Sequence, residues 1–160
     1  MVAEAKAEAR DSAGSAGPSA GAVAPAPVVP TPPLGSEPGV VLCIPARDEA
    51  DALSALMLVQ LLEFQGISAR ATSVGTLASE VVAEMEALLP RSVCVCAMPP
   101  TATSHARYVC KRILAPFRDI KVIVGIWNTP DLDRARDRIR PCGTDRVVAT
   151  FAHAIELLRA

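Results

Sequence analysis

The sequence predicts an α/β protein built on a doubly wound, five-stranded parallel sheet in the strand order 2-1-3-4-5. Three observations lead there. From residue 39 onward, short apolar runs alternate with amphipathic segments, in the order of strand then helix throughout. The runs Val40-Val41-Leu42-Cys43-Ile44, 93–98 and 121–127 are apolar almost without interruption, as strands covered by helices on both faces must be. The run 68–74 is more polar, which places the second strand at an edge. Strand–helix alternation implies parallel pairing through right-handed crossovers. The commonest order for five such strands puts strands one, three and four, the most apolar here, in the middle.

Each element has its own signals. The first strand stops at Pro45, and the first helix follows, with Asp48 as N-cap, Asp51 three residues on and Gly66 closing it as a C′ residue. Leu53, Leu56, Met57, Leu61 and Phe64 recur at helical spacing and are expected to form its inner stripe. Thr76 is expected to cap the second helix, whose Val81, Val82, Met85, Leu88 and Leu89 face inward until Pro90. The third helix is expected from about Ser104 to Phe117, with Ala106, Val109, Cys110, Ile113 and Phe117 inward and Arg107, Lys111 and Arg112 outward. Thr129-Pro130 reads as a cap followed by proline at the first position of the fourth helix. There Leu132, Ala135 and Ile139 pack, and the charged residues between them form a solvated ladder. Gly143-Thr144-Asp145 turns into a fifth strand over 146–149, and a last helix covers 151–158.

Residues 1–38 stand apart. They hold half of the chain's 14 prolines, with Ala, Gly and Ser and no apolar period. Such a segment cannot bury enough surface to offset its ordering entropy, so it reads as a disordered, semi-extended Ala/Pro-rich linker ahead of a domain over 39–160. Its start lacks the basic region and apolar core of a secretory signal. No window approaches the roughly 18 apolar residues of a membrane span. Net charge is −1, and the first 38 residues carry −2 of it, leaving the remainder near +1. That balance argues against nucleic acid, as does an aromatic content of 3%, too low for a base-stacking platform. The five cysteines form no C-x-x-C pair, so they read as small buried hydrophobes in a reducing cytoplasm and not as metal ligands.

Ligands of open α/β sheets sit outside the carboxyl ends of the strands, where the order reverses. Here that point lies between strands one and three, and the loops 45–49 and 98–105 would line a crevice there. The candidate ligand-binding residues are Arg47, Asp48, Thr101, Thr103, Ser104, His105, Trp127 and Asn128. Arg47 could pair with a ligand carboxylate, and the three hydroxyls lie at a helix N-terminus that favours anions.

The known chemistries of this architecture are poorly served. A phosphoreceiver needs an Asp after the third strand and a Lys after the fifth; Ala97-Met98-Pro99 and Val148-Ala149-Thr150 supply neither. Pro45-Ala46-Arg47-Asp48-Glu49 has no glycine for a phosphate loop and sets two carboxylates where a nucleotide phosphate would lie. His105 could act as a base at the crevice, but no partner nucleophile accompanies it, Cys96 being expected in the core; His153 is expected on the surface.

Along 39–160 the order of first strand, Asp-bearing turn, long helix ending in Gly, edge strand and hydroxyls after the third strand resembles the cobalamin-binding domain, a flavodoxin-like fold. The resemblance implies a corrinoid site at the carboxyl ends of the strands. Base-off members carry Asp-x-His-x-x-Gly after the first strand, the His being the lower cobalt ligand. The matching turn here, Arg47-Asp48-Glu49-Ala50-Asp51, keeps the Asp without the His or the Gly, which disfavours cobalamin as a cofactor. The family's paired glycines near the end of the fourth strand leave space for the nucleotide tail; this chain has Gly125 followed by Ile126-Trp127, and the Trp is expected to fill part of that slot.

A narrower set of motifs resembles the soluble C-terminal domain of some autoinducer-2 exporter family permeases. These are Cys43-Ile44-Pro45-Ala46-Arg47-Asp48-Glu49-Ala50-Asp51, Met98-Pro99-Pro100 with His105-Ala106-Arg107-Tyr108-Val109-Cys110-Lys111-Arg112, and Gly143-Thr144-Asp145-Arg146-Val147-Val148. That resemblance implies a cytoplasmic accessory domain tethered by a linker to a membrane unit at the inner face of the membrane, so the chain is either a fragment or a free-standing relative. The expected function is therefore a non-catalytic sensory or regulatory domain, with a permease as partner, no nucleic acid and a possible small ligand in the crevice. The alternatives are a base-on cobalamin-binding protein, a small enzyme using His105, and an interaction module docking through the basic faces of the third or fourth helix.

Overall fold

The computed structural model describes residues 39–160, so the linker expected over 1–38 lies outside the described residues. Five strands, β1 (Val41–Pro45), β2 (Ala69–Ala71), β3 (Ser92–Ala97), β4 (Lys121–Ile126) and β5 (Val147–Val148), form one parallel sheet. Their order is β2-β1-β3-β4-β5, as the sequence predicts. Helices α1 (Glu49–Phe64), α2 (Ala78–Leu88), α3 (Ala102–Leu114), α4 (Leu132–Ile139) and α5 (Phe151–Arg159) alternate with them, and a 3-10 turn at Arg140–Cys142 follows α4.

Side chains leave each strand with a period of two, and that divides the core into two layers. Leu42, Ile44, Val93, Val95, Val122, Val124, Ile126 and Val147 pack under α2, α3 and α4. Val41, Cys43, Cys94, Cys96, Ile123, Trp127 and Val148 pack under α1 and α5. Both layers are buried, so strands β1, β3 and β4 carry apolar residues on both faces. All five cysteines are free and buried, in agreement with their reading as core residues. Burial pushes the Cys96 thiol up, and it pushes Cys110 to about 12, so neither is a nucleophile at neutral pH.

The ends of the elements show which residues direct the chain. The Asp48 carboxylate accepts from the N–H groups of Ala50 and Asp51, both at 3.1 Å, and starts α1 as expected. At the other end Gly66, at φ 75°, allows Ile67 N–H to reach Leu62 C=O and Gly66 N–H to reach Glu63 C=O, the bond pair of a Schellman motif. Arg91, just before β3, donates to Leu158 C=O at 2.7 Å, and Lys121 Nζ donates to Leu157 C=O. Two cations thus cover the carboxyl end of α5. Burial of Lys121, with Arg146 and Arg91 nearby, holds its pKa below the usual lysine value.

Five expectations about helices are corrected. Leu53, Leu56, Met57, Leu61 and Phe64 do not face the core: Leu53 is 61% exposed and Phe64 90%. The buried side of α1 is the opposite one, Ala55, Leu58, Val59 and Leu62 together with Asp51 and Ser54. Thr76 does not cap α2; its hydroxyl donates to Ser73 C=O at 2.7 Å, and Leu77 occupies the cap position, where Glu80 accepts from the Leu77 N–H. Leu89 is not inward but 75% exposed, in the left-handed conformation that ends the helix. The cap of α4 is Asp131, which accepts from Arg134 N–H at 2.9 Å, and Pro130 precedes it. The third helix starts at Ala102, two residues before the expected Ser104.

Candidate functional site

The carboxyl ends of the strands form three distinct environments. The first is a slot between the sheet and helices α1 and α5. Trp127, one residue past β4, turns its ring back over Gly125, and a Cβ built on that glycine would lie 2.2 Å from the ring. No other residue leaves room for the indole there, so Gly125 is required by close packing and not by a turn. The ring meets Phe151 of α5 with centroids 4.4 Å apart, tilted by 47°. Its Nε1–H donates to Ser54 Oγ at 3.0 Å, and Ser54 Oγ–H donates to Asp51 C=O at 2.7 Å. Trp127 is 5% exposed. The indole therefore fills the slot from wall to wall and satisfies its one donor.

The second environment is the turn after β3, where residues 98–105 were expected to line the crevice. Its organising group is Asp51, which reasoning from the sequence took only as a capping residue. The Asp51 side chain points inward from α1, and its Oδ1 accepts from Met98 N–H at 2.6 Å. That bond ties the loop after β3 to the first turn of α1. Burial raises the Asp51 pKa, an effect reinforced by the Asp48 carboxylate and opposed by the bond from Met98. Thr101 stands at the N-cap of α3 without a side-chain cap bond, and its C=O accepts from Ser104 and His105. Thr101 and Ser104 are exposed; Thr103 and His105 are half-buried. Asn128, exposed and at φ 55°, donates its N–H to Ala149 C=O. His153 is on the surface, as expected.

The third environment was missed. A cavity of about 150 Å³ opens at the carboxyl ends of β1 and β2, on the α2–α3 side of the sheet. Ile44 and Ala46 form part of its wall, and Arg47, Thr72, Thr76, Tyr108 and Arg112 line the rest. The Arg112 guanidinium lies 5.5 Å from the Tyr108 ring centre, and its Nε–H is 3.4 Å from the Tyr108 hydroxyl. Thr72 is buried, yet its hydroxyl has no hydrogen-bond partner among the described residues. Of the eight residues expected to share one crevice, only Arg47 lines this cavity; Asp48 is engaged in capping and Trp127 in the slot. Two signals could have found it. The period of two along β2 puts Thr72 on the face opposite Ala69 and Ala71, and Tyr108 with Arg112 is an i, i+4 pair. A groove of about 400 Å³ lies at the other end of the sheet, between Leu89 and Phe117, away from the carboxyl ends.

The described residues contain no group of three or more His, Cys, Asp or Glu side chains placed to hold a metal ion. No helix among them is long and apolar enough to cross a membrane.

No protein-family model matches the sequence, and no curated protein does. Solved structures do match. A cobalamin-binding protein from Desulfitobacterium hafniense DCB-2 superposes with a TM-score of 0.60 at 14% identity, over 76% of this chain and 58% of that one. The methanol:cobalamin methyltransferase complex MtaBC from Methanosarcina barkeri superposes with a TM-score of 0.59 at 17% identity, over 76% of this chain and 45% of that one. The chain thus spans about half the length of these two neighbours. At such identities the likeness speaks for the fold alone: residues 39–160 form a parallel α/β domain with a cobalamin-binding-like fold.

Proposed function

We propose that the domain over 39–160 is a non-catalytic regulatory module, cytoplasmic and accessory to a membrane permease in cis or in trans, whose corrinoid slot is closed by its own tryptophan. The observation that carries this reading is the Trp127 indole, packed over Gly125, stacked on Phe151 and bonded to Ser54. The motifs that resemble those of permease C-terminal domains suggest the partner.

Cobalamin is what the two structural neighbours suggest, and this chain's residues do not fit it at two places. The turn Arg47–Asp51 offers no imidazole as lower ligand, and the space beside Gly125 that would take a nucleotide tail holds an indole. An enzyme using His105 has little support: the side-chain hydrogen bonds among the described residues include no nucleophile–base pair, and Cys96 is fully buried.

Absorption spectroscopy tests the reading. After incubation with hydroxocobalamin or adenosylcobalamin and desalting, the wild-type protein should be colourless. A retained corrinoid band at one equivalent would overturn the closed slot and favour a base-on cobalamin protein.

One further observation favours a second reading, an interaction module, but through α1 and not through the basic faces of α3 or α4. Leu53, Leu56, Met57, Leu61 and Phe64 present about 600 Å² of surface, at the top of the range for apolar patches on monomers. A second copy of this chain is the occupant this face suits. Two such faces, wholly covered, would bury about 1,200 Å², the lower end of specific interfaces. Sedimentation equilibrium should show a dimer that Met57→Glu converts to monomer. A monomeric wild type across the micromolar range would reject it.

A further inference from the structure

We propose that the outer face of α1 pairs antiparallel with the same face of a second copy, so that Leu53 of each chain packs on Phe64 of the other, Leu56 on Leu61 and Met57 on Gln60. The pairing rests on the second reading above, in which this face takes a second copy, and adds the direction of the two helices and the contacts between them.

The first observation is the order of exposed residues along the helix. Leu53, Leu56, Met57, Gln60, Leu61 and Phe64 are all exposed, while residues on the other side of the helix, such as Leu58 and Leu62, are fully buried. The exposed set follows the spacing i, i+3, i+4, i+7, i+8, i+11, which is one continuous stripe of an α-helix. That spacing reads the same in both directions about the midpoint between Leu58 and Val59. A two-fold axis there, perpendicular to the helix, lays the stripe on itself, and every apolar residue except Met57 then meets an apolar residue of the other copy. Self-complementarity of this kind is what an isologous interface requires. At 1.5 Å per residue the stripe runs about 16 Å from Leu53 to Phe64.

Charge decides the direction. Glu49 is exposed and lies four residues before Leu53, on the line of the stripe. In a parallel pair the two Glu49 carboxylates would face each other, with both exposed Asp48 carboxylates beside them, and like charges set together across an interface are costly. In the antiparallel pair each Glu49 passes the far end of the partner helix, beyond Phe64. That end carries the exposed Arg159 of α5, whose guanidinium donates to Gln65 Oε1. A cation of one copy thus stands toward a carboxylate of the other at both ends of the pair. Glu63, the other charge of that end, lies about a quarter turn from the centre of the stripe, on its flank. The helix dipoles favour the same alignment, since each amino end then lies beside a carboxyl end.

The third observation is that α1 is held in its rotation. From its buried side Asp51 accepts from Met98 N–H, and Ser54 accepts from the Trp127 indole. Rolling the helix to hide Leu53 and Phe64 would break both bonds, so the apolar stripe stays outward.

Two single variants and their mixture test the pairing by sedimentation equilibrium of the full chain. Leu53→Lys and Phe64→Glu alter side chains that are 61% and 90% exposed, so both should keep the wild-type circular dichroism spectrum. Each alone sets a charge against an apolar partner twice per dimer and should weaken dimerisation by at least about tenfold. In the mixed dimer the introduced lysine faces the introduced glutamate at one end, and native Leu53 meets native Phe64 at the other. The equimolar mixture should therefore dimerise about tenfold more tightly than either variant alone. In a parallel pair the two substituted positions never meet, and mixing brings no gain. Association no tighter in the mixture than in the single variants would overturn the antiparallel pairing and leave a dimer through α1 standing. A monomeric wild type, or single variants that dimerise as the wild type does, would overturn both the pairing and the reading it rests on.

Discussion

Replacing Trp127 by alanine isolates the packing that closes the slot. The substitution removes the whole indole from between Gly125, Phe151 and Ser54. Taking away about 150 to 200 Å² of buried surface at 25 cal/mol/Å² costs about 4 to 5 kcal/mol. The cost measured for large-to-small aromatic changes in cores, about 3 to 5 kcal/mol, agrees. Because Trp127 is the only tryptophan, the variant has to be followed by far-UV circular dichroism in urea. With a slope near 1.5 kcal/mol/M the midpoint should fall by about 3 M. Trp127→Phe retains most of the ring, loses the bond to Ser54 and should cost about 1 to 2 kcal/mol, which keeps the comparison measurable if the alanine variant is unfolded. Free indole should then stabilise the alanine variant in proportion to its concentration and leave the wild type unchanged, since the cavity binds only in the folded state. A loss below about 1.5 kcal/mol for Trp127→Ala, or no response to indole, would refute the packing argument.

Three other perturbations have defined outcomes. Asp51 has a raised pKa, so its protonated form is favoured by the fold: the stability it contributes is full below about pH 4 and is lost as pH rises through the folded-state value. Asp51→Asn should flatten that part of the stability–pH profile while keeping an acceptor for Met98 N–H; an unchanged profile would exclude Asp51 as its source. Gly125→Ala forces a methyl group into the Trp127 ring and should destabilise by about 1 to 3 kcal/mol with a red shift of tryptophan emission. Leu58→Ala, on the buried face of α1, should cost about 2 to 5 kcal/mol, whereas Phe64→Ser, on the exposed face, should stay within about 0.5 kcal/mol by urea denaturation at protein concentrations where the chain is monomeric. Equal losses would show that the two faces are assigned wrongly.

The fold was legible because strand burial is a strong signal. Runs such as Val93-Cys94-Val95-Cys96 are apolar on both faces only if helices cover both, and with the strand–helix alternation that leads to the parallel sheet. Strand β2 was legible through its polarity. The face of α1 was not, since two apolar stripes run along opposite sides of one helix. The buried stripe contains Asp51 and Ser54, so it looked the more polar of the two. Their burial becomes intelligible only when Met98 N–H and the Trp127 indole arrive from distant parts of the chain as partners. The caps of α2 and α4 were misplaced by one or two residues because Thr76 and Pro130 satisfy local rules that Leu77 and Asp131 override.

The candidate site was legible only in outline. The carboxyl ends of the strands, Arg47 and the role of Trp127 near Gly125 could be read in advance. The separation into a filled slot on one face and a small cationic cavity on the other could not, because it depends on which way Thr72 and Trp127 project from the sheet. Arg112 was read as part of the outward face of its helix, and that it lines one cavity with Tyr108 and Arg47 depends on how α3 packs on the sheet.

The central claim, that an indole fills the slot between the sheet and α1 and α5, is tested most directly by iodide quenching of Trp127 fluorescence in the native protein. A blue-shifted emission that iodide barely quenches is the predicted result. Emission like that of free tryptophan, quenched at the free rate, would contradict it and leave the slot open to a ligand.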